Sequence, residues 1–371
     1  MKDISVLIKP ISSKCNINCR YCFYKDEDKL REGACYKAMT KDTLEVLVKK
    51  VFESASSHVS FVFQGGEPTL MGLDFFRDFI FFAKQYNANK IETFYSIQTN
   101  GILLDDEWCS FLKDNNFLVG LSFDGEPRIN DINRITYDNK GTSDLVVKSI
   151  RLLQKHNVDF NVLCVINHYS AYEAQNIYNY CKRLGIEYLQ IIPVLDRYGF
   201  GKGSSDYSLN AKELETFLCD LFDIWYNDFI LSKEVRITYF ENIITSLING
   251  RGTMCSMNGM CSIESVIEAN GNVYPCDFYV GDEYCLGNIL DKGLKEMIFS
   301  KRAMEFVSES LNLKNDCTKC QYCHLCMGSC KRYSLTSNDR YDNYYCQAYK
   351  KFFSYTMNRI INIAKNYLNQ D

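Results

Sequence analysis

The first half of the chain alternates between two periodicities. Short runs rich in β-branched and aromatic residues (Ser5–Ile11, Val59–Phe63, Thr93–Gln98, Leu118–Phe123, Phe160–Ile166 and Tyr188–Val194) read as strands, often followed by Gly, Asn or Asp. Between them, Thr43–Glu53, Leu73–Lys84, Asp105–Lys113, Asp144–Lys155 and Tyr172–Leu184 carry apolar residues at helical spacing. Such alternation predicts parallel strands, and six units predict an α/β fold in the form of an open or partial (βα)6 barrel. In barrels of this kind the chemistry gathers on loops at the C-terminal ends of the strands. A turn-rich stretch between Tyr198 and Tyr207 precedes a long predicted helix, Ala211–Phe229. The alternation stops near residue 240, which predicts one domain over residues 1–240 and a cysteine-rich one over 241–371.

Charge and composition narrow the classes of function. The formal net charge is −4 and no Lys/Arg-rich tract occurs, which argues against nucleic acid and anionic membrane as partners. No apolar run approaches the ~18 residues of a membrane span, and Lys2-Asp3 is followed by no secretory h-region. A cytoplasmic location is therefore expected. Cysteine is the outlier, with 18 residues, and in that compartment clustered cysteines point to metal or redox chemistry rather than disulfides.

Three of them form Cys15-x3-Cys19-x2-Cys22, just after the first predicted strand. Three thiolates on one short loop can hold three corners of a [4Fe–4S] cube and leave the fourth iron open. A partial zinc site or three core cysteines are the bland readings, but the two-pair layout of structural zinc is missing. After the second strand comes Gln64-Gly65-Gly66-Glu67-Pro68. Its paired glycines permit close backbone approach and Glu67 offers an acceptor for an ammonium group, although alone the motif reads equally as a turn. The third and fourth strands end in Gln98-Thr99-Asn100-Gly101 and Ser122-Phe123-Asp124-Gly125.

The second cysteine field is Cys255-x5-Cys261-x14-Cys276, then Cys317-x2-Cys320-x2-Cys323-x2-Cys326-x3-Cys330, then Cys346. Val266–Pro275, with Asn270-Gly271 at its centre, predicts a hairpin that delivers Cys276 and Asp277 to its far end. Spacing alone leaves structural zinc and iron–sulfur equally open here. Cys35, Cys109, Cys164, Cys181, Cys219 and Cys285 lie in apolar or helical surroundings and are expected in the core.

The Cys15–Tyr24 stretch resembles the signature loop of the radical S-adenosylmethionine (SAM) enzymes, and the C-terminal field resembles their SPASM domain. Cys-Asn-Ile-Asn-Cys-Arg-Tyr-Cys-Phe-Tyr, Phe-Gln-Gly-Gly-Glu-Pro-Thr-Leu, Gln-Thr-Asn-Gly, Leu-Ser-Phe-Asp-Gly, Asn-Gly-Asn-Val-Tyr-Pro-Cys-Asp-Phe-Tyr and Asn-Tyr-Tyr-Cys-Gln-Ala-Tyr occur in this order. In that order and spacing, from about Val6 to Phe352, the chain is similar to the anaerobic sulfatase-maturating enzymes. The resemblance implies a [4Fe–4S] cluster on Cys15, Cys19 and Cys22, with SAM on its open iron. It implies SAM contacts from Tyr21, Gln64, Gly65, Gly66, Glu67, Ser122, Arg134 and Leu195, and substrate contacts from Tyr24 and Gln98. Without that resemblance, Arg134 and Leu195 read as a surface arginine and a core leucine.

The same resemblance implies a first auxiliary cluster on Cys255, Cys261, Cys276 and Cys330, and a second on Cys317, Cys320, Cys326 and Cys346. Cys323 departs from the family pattern and fits ferredoxin spacing in place of Cys317. Met327-Gly328-Ser329 stands where Gly-Gly is more usual. The implied reaction is oxidation of a cysteine or serine, within Cys/Ser-x-Pro-x-Arg of an unfolded sulfatase, to Cα-formylglycine. Asp277 is the implied base, though in isolation it reads as a turn aspartate. A flavodoxin or ferredoxin would donate electrons to a monomeric enzyme. Another SPASM-type peptide modification, such as thioether cross-linking of a ribosomal peptide, and a non-enzymatic zinc module are the alternatives.

Overall fold

A computed structural model describes residues 3–27, 30–31, 37–197, 201–311, 315–336 and 339–368. Cys35 and residues 198–200 of the turn-rich stretch lie outside them. In chain order the elements are β1 (Asp3–Lys9), α1 (Tyr24–Glu27), α2 (Lys41–Ser54), β2 (His58–Phe63), α3 (Leu73–Tyr86), β3 (Glu92–Thr99), α4 (Asp106–Asp114) and β4 (Phe117–Ser122). Next come α5 (Pro127–Asn133), α6 (Ser143–Lys155), β5 (Phe160–Ile166), α7 (Ala174–Arg183), β6 (Tyr188–Pro193), α8 (Ala211–Phe229), β7 (Arg236–Ile237) and α9 (Thr238–Asn249). The remainder holds β8 (Val266–Glu268), β9 (Asn272–Tyr274), β10 (Gly287–Asn288), α10 (Leu294–Ile298), α11 (Lys301–Glu309), α12 (Asn315–Thr318), α13 (Cys323–Cys326) and α14 (Cys346–Leu368).

All six expected strand–helix repeats are present. The first strand is displaced, ending at Lys9 rather than Ile11, because Pro10 has no N–H to continue the ladder. The chain turns there instead, with Ser12 N–H donating to Lys9 O at 3.2 Å and Lys14 N–H to Ile11 O at 3.1 Å.

By contacts the chain forms two compact units, each threaded from several segments. The first comprises Met1–Ser122, Arg134–Asn161 and Ser262–Phe306; the second comprises Phe123–Asn133, Val162–Cys261 and Val307–Asp371. These units do not follow a division at residue 240. β8 pairs in parallel with β1, in the register Leu7↔Val266 and Lys9↔Glu268, so the hairpin belongs to the first unit.

In the first unit β1, β2, β3 and β4 pair in parallel in that order. β9 returns antiparallel to β8 and β10 antiparallel to β9. α2 starts where the Thr40 side chain caps Thr43 N–H and buries Leu44, Leu47, Val48 and Val51, one stripe at helical spacing. The core beside it is aromatic: Phe63 meets Phe76 and Phe79 edge-on at 4.9 and 4.8 Å between ring centroids.

In the second unit β5, β6 and β7 pair in parallel. α8 packs against α7 and α14, and α14 also packs against α9. The contact is aromatic again, with Phe240 stacked on Phe352 at 5.8 Å and Trp225 against Phe240 at 5.1 Å. Among the described residues no helix is long and apolar enough to cross a membrane.

Candidate active site

The loop after β1 carries Cys15, Cys19 and Cys22, and the loop after β2 is pressed against it. Gly66 N–H donates to Ser12 O at 2.7 Å and Glu67 N–H to Lys14 O at 2.9 Å. A Cβ on Gly66 would stand 2.0 Å from Lys14 O, so only glycine permits this approach. The closeness expected of the paired glycines is thus, first of all, closeness to the cysteine loop. Glu67 also differs from the expected open acceptor. Its carboxylate is 0 % exposed and already accepts from Thr69 N (3.0 Å), Thr69 Oγ1 (2.6 Å), Thr99 Oγ1 (2.8 Å) and Asn100 N (2.7 Å). It staples the loops after β2 and β3 together.

Cys19 is buried, and Cys15 and Cys22 are half-buried. Burial pushes the Cys15 and Cys22 thiols up to about 11, so in this environment both stay protonated unless a cation is supplied. Three soft sulfur donors on one loop form a set that fits iron–sulfur ligation. Arg134 is no surface arginine: it is 6 % exposed, with its guanidinium over the Tyr21 ring at 5.5 Å. Gln98 Nε2 reaches Ser122 Oγ at 3.5 Å, and Leu195 is buried just beyond β6 in the second unit.

Asp277, three residues past β9, the return strand of the β8–β9 hairpin, is only 4 % exposed and is not a solvated turn residue. Its Oδ2 accepts from Tyr24 OH at 2.5 Å and from Gln64 Nε2 at 3.1 Å. Gln64 also donates to Tyr24 OH at 2.7 Å, so Gln64, expected at the cofactor, sits with Tyr24 beside the carboxylate. Oδ1 is buried without a hydrogen-bond partner, 3.5 Å from Lys9 Nζ. Burial raises the Asp277 carboxyl, with Lys9 and the Tyr24 hydroxyl opposing.

Behind Asp277 lies a charge cluster that sequence reasoning missed. Lys9 Nζ, fully buried, contacts Glu27 and stands 3.0 Å from Glu268 Oε1, and Arg31 Nη1 is 2.6 Å from the same oxygen. Burial alone would lower Lys9, but Glu268, Glu27 and Asp277 raise it above its usual value. Burial pushes Glu27 up to about 8 against the pull of Lys9. Glu268, also subject to burial, is held below its usual value by Lys9 and Arg31. The one available signal was a charged residue closing an apolar run: Lys9 after Val6-Leu7-Ile8 in β1 and Glu268 after Val266-Ile267 in β8. Lys9→Met would strand three buried carboxylates with Arg31 alone. The expected cost is about 3–5 kcal/mol of folding stability, read as a lower urea midpoint at unchanged slope.

Residues 10–181 match the Radical SAM superfamily, and residues 255–330 match SPASM, an iron-sulfur cluster-binding domain. The chain is 42% identical over 367 residues to the cysteine-type anaerobic sulfatase-maturating enzyme of Clostridium novyi, covering 98% of each chain. The chain belongs to the anaerobic sulfatase-maturating enzymes. A cysteine-type relative from Clostridium perfringens is 41% identical, over 99% of this chain and 100% of its own. A serine-type relative from Bacteroides thetaiotaomicron is 30% identical, over 100% of this chain and 93% of its own. The solved structure "Native anSMEcpe with bound AdoMet and Cp18Cys peptide" superposes with a TM-score of 0.94 at 40% identity, covering 98% of this chain and 99% of that one. The fold is accordingly the partial barrel of radical SAM enzymes, open rather than closed, with a C-terminal SPASM domain.

In this sulfatase-maturase family member, Cys317, Cys320, Cys326 and Cys346 line one cavity of the second unit with Cys323, Tyr349 and Phe353. Burial pushes Cys326 up to about 12, reinforced by Cys346, Cys317 and Cys320, and Cys346 in turn feels Cys317 and Cys320. Met327, Gly328 and Ser329 all have positive φ, at 47°, 79° and 57°. Glycine suits such a run, and each of the two non-glycine residues here carries a cost of roughly 1–2 kcal/mol. Cys255, Cys261 and Cys330 belong to the second unit, and Cys276 closes the hairpin in the first. Among the described residues no three His, Cys, Asp or Glu side chains converge as ligands of a single metal ion. Cys109, Cys164 and Cys181 are core residues as expected, whereas Cys219 and Cys285 are half-buried.

Proposed function

We propose that this protein oxidises a cysteine residue within Cys-x-Pro-x-Arg of an unfolded sulfatase polypeptide to Cα-formylglycine. The observation that carries this reading is the 41–42% identity to cysteine-type maturases over nearly full chains, against 28–30% for the serine-type relatives. Cys15, Cys19 and Cys22 hold the SAM-binding cluster. Cys255, Cys261, Cys276 and Cys330 hold a second, and Cys317, Cys320, Cys326 and Cys346 a third. When bound, the first cluster and SAM supply a 5′-deoxyadenosyl radical able to take a hydrogen atom from the substrate Cβ.

The chain's own residues handle the proton. Asp277 is the base for the substrate thiol. Tyr24 and Gln64 both donate to Oδ2 and so hold the carboxylate in place beside the substrate side. Lys9 faces Oδ1 and favours its anionic form. Tyr21, Gly65, Gly66, Ser122, Arg134 and Leu195 form the SAM site, Glu67 holds the loops after β2 and β3 together beneath it, and Gln98 joins Tyr24 on the substrate side. A flavodoxin- or ferredoxin-type protein supplies electrons, and the enzyme works as a cytoplasmic monomer.

The test is anaerobic turnover of a reconstituted sample with SAM, a reductant and a Cys-x-Pro-x-Arg peptide, followed by hydrazine trapping. A hydrazone on the former cysteine is expected, from protein carrying about twelve irons per chain on eleven thiolates. A product that has lost hydrogens but traps no hydrazine would mean a cross-linking chemistry instead. For the third cluster, Cys317→Ala is expected to lose about four irons and Cys323→Ala none. Exchange of those two phenotypes, read by iron content and absorption spectra, would place Cys323 in the ligand set.

A further inference from the structure

Asn100 follows β3 directly, and both halves of the residue are held. Its backbone N–H donates to Glu67 Oε2 at 2.7 Å, and Glu67 is itself fixed by Thr69 and Thr99. Its side-chain Oδ1 accepts from Ile102 N–H at 3.0 Å. That contact settles which way the amide points, since only the carbonyl oxygen can accept it. The Nδ2 therefore faces the cysteine loop, where it donates to Asn16 Oδ1 at 2.8 Å and stands 3.7 Å from Cys15 Sγ. An amide nitrogen carries two hydrogens, one for each partner. The Cys15 thiol also faces Asn16 Oδ1, at 3.7 Å. A metal-bound thiolate has no proton to give, so Asn16 then accepts from Asn100 and the sulfur becomes an acceptor for the second amide hydrogen. Asn100 is 7 % exposed, so water is largely kept from this contact.

We propose that Asn100 is a positioning residue of the SAM-binding cluster, whose side-chain amide donates an N–H···S hydrogen bond to Cys15 Sγ and raises the cluster's reduction potential. Reduction adds a negative charge to the cluster, and a donor aimed at a ligand sulfur stabilises the more negative state. Glu67 serves the same end from behind, because its acceptance of the Asn100 backbone N–H fixes the residue against the cysteine loop. This inference rests on the reading that Cys15, Cys19 and Cys22 hold a [4Fe–4S] cluster.

The experiment is a redox titration, followed by electron paramagnetic resonance, of anaerobically reconstituted wild type, Asn100→Ala and Asn100→Leu. Only the signal that changes on addition of SAM is followed, which separates the open-iron cluster from the auxiliary ones. Iron content is measured on the same samples. At the wild-type midpoint both variants should show an about tenfold lower ratio of reduced to oxidised cluster, a shift of about 59 mV to lower potential for a one-electron couple. Their iron content should match wild type. An unchanged midpoint with full iron overturns the proposal. Selective loss of the SAM-responsive cluster's iron in both variants overturns it too, since Asn100 would then be a structural support and not a tuning group. If wild type itself shows no SAM-responsive signal, the cluster reading fails, and that outcome is distinct from either of these.

Discussion

Protein with Cys15, Cys19 and Cys22 all replaced by alanine is expected to cleave no SAM while still holding about eight irons, on its remaining auxiliary thiolates. Cleavage needs an iron that no protein side chain occupies, and a set of three thiolates on one loop is what leaves such a corner open. No other group of described cysteines has that layout. Cys109, Cys164 and Cys181 are buried singly in the core, and the cavity of the second unit offers a full set of four thiols and a fifth. The fold should survive the change, because the cysteine loop is tied down by backbone contacts from Gly66 and Glu67 that do not involve the sulfurs. Release of 5′-deoxyadenosine by the triple variant would show that the radical site lies elsewhere. Retention of all twelve or so irons would show that these cysteines are not ligands.

The second large effect belongs to Asp277. Asp277→Asn keeps the size of the side chain and an oxygen that can accept from Tyr24, but it cannot take a proton at neutral pH. A base that acts on the substrate thiol is not needed to form the radical, so SAM cleavage should persist in the variant. Formylglycine should fall by ~10²-fold or more, as for a missing general base. The variant leaves Lys9, Arg31, Glu27 and Glu268 and the contacts among them in place. The measurement is the ratio of 5′-deoxyadenosine to aldehyde. Aldehyde at the wild-type rate would exclude Asp277 as the base. Loss of iron or of SAM cleavage would instead assign it to support of the neighbouring Cys276.

These two sites were not equally legible. Cys15, Cys19 and Cys22 could be picked out because ligand spacing is a local property of the chain, written within eight residues. The six strand–helix repeats were legible for the same reason: a strand's twofold and a helix's 3.6-fold periodicity are carried by near neighbours. α8 starts and ends where its pattern predicts, at Ala211 and Phe229, behind the Asn210–Glu213 capping box. The Val266–Pro275 hairpin follows from its Asn-Gly turn. The departure at Met327-Gly328-Ser329 sets two non-glycine residues in a run of left-handed backbone.

The surroundings of Asp277 are another matter. Lys9, Glu27, Glu268 and Asp277 span most of the chain, and each reads alone as an ordinary surface charge. What assembles them is the parallel register of β1 on β8, which sets Lys9 directly beside Glu268, and the hairpin that returns the chain to Asp277. Neighbours in a parallel ladder point to the same face, so that register alone drives two opposite charges into one dry space. Glu67 was misread on the same ground. Its type suggested an acceptor facing a ligand, but Thr69, Thr99 and Asn100 surround it only once β2 and β3 lie side by side. Local spacing specifies which residues can bind a cluster. Long-range strand pairing decides which charges lose their water, and that loss is what raises the carboxyl of an aspartate at the end of a hairpin.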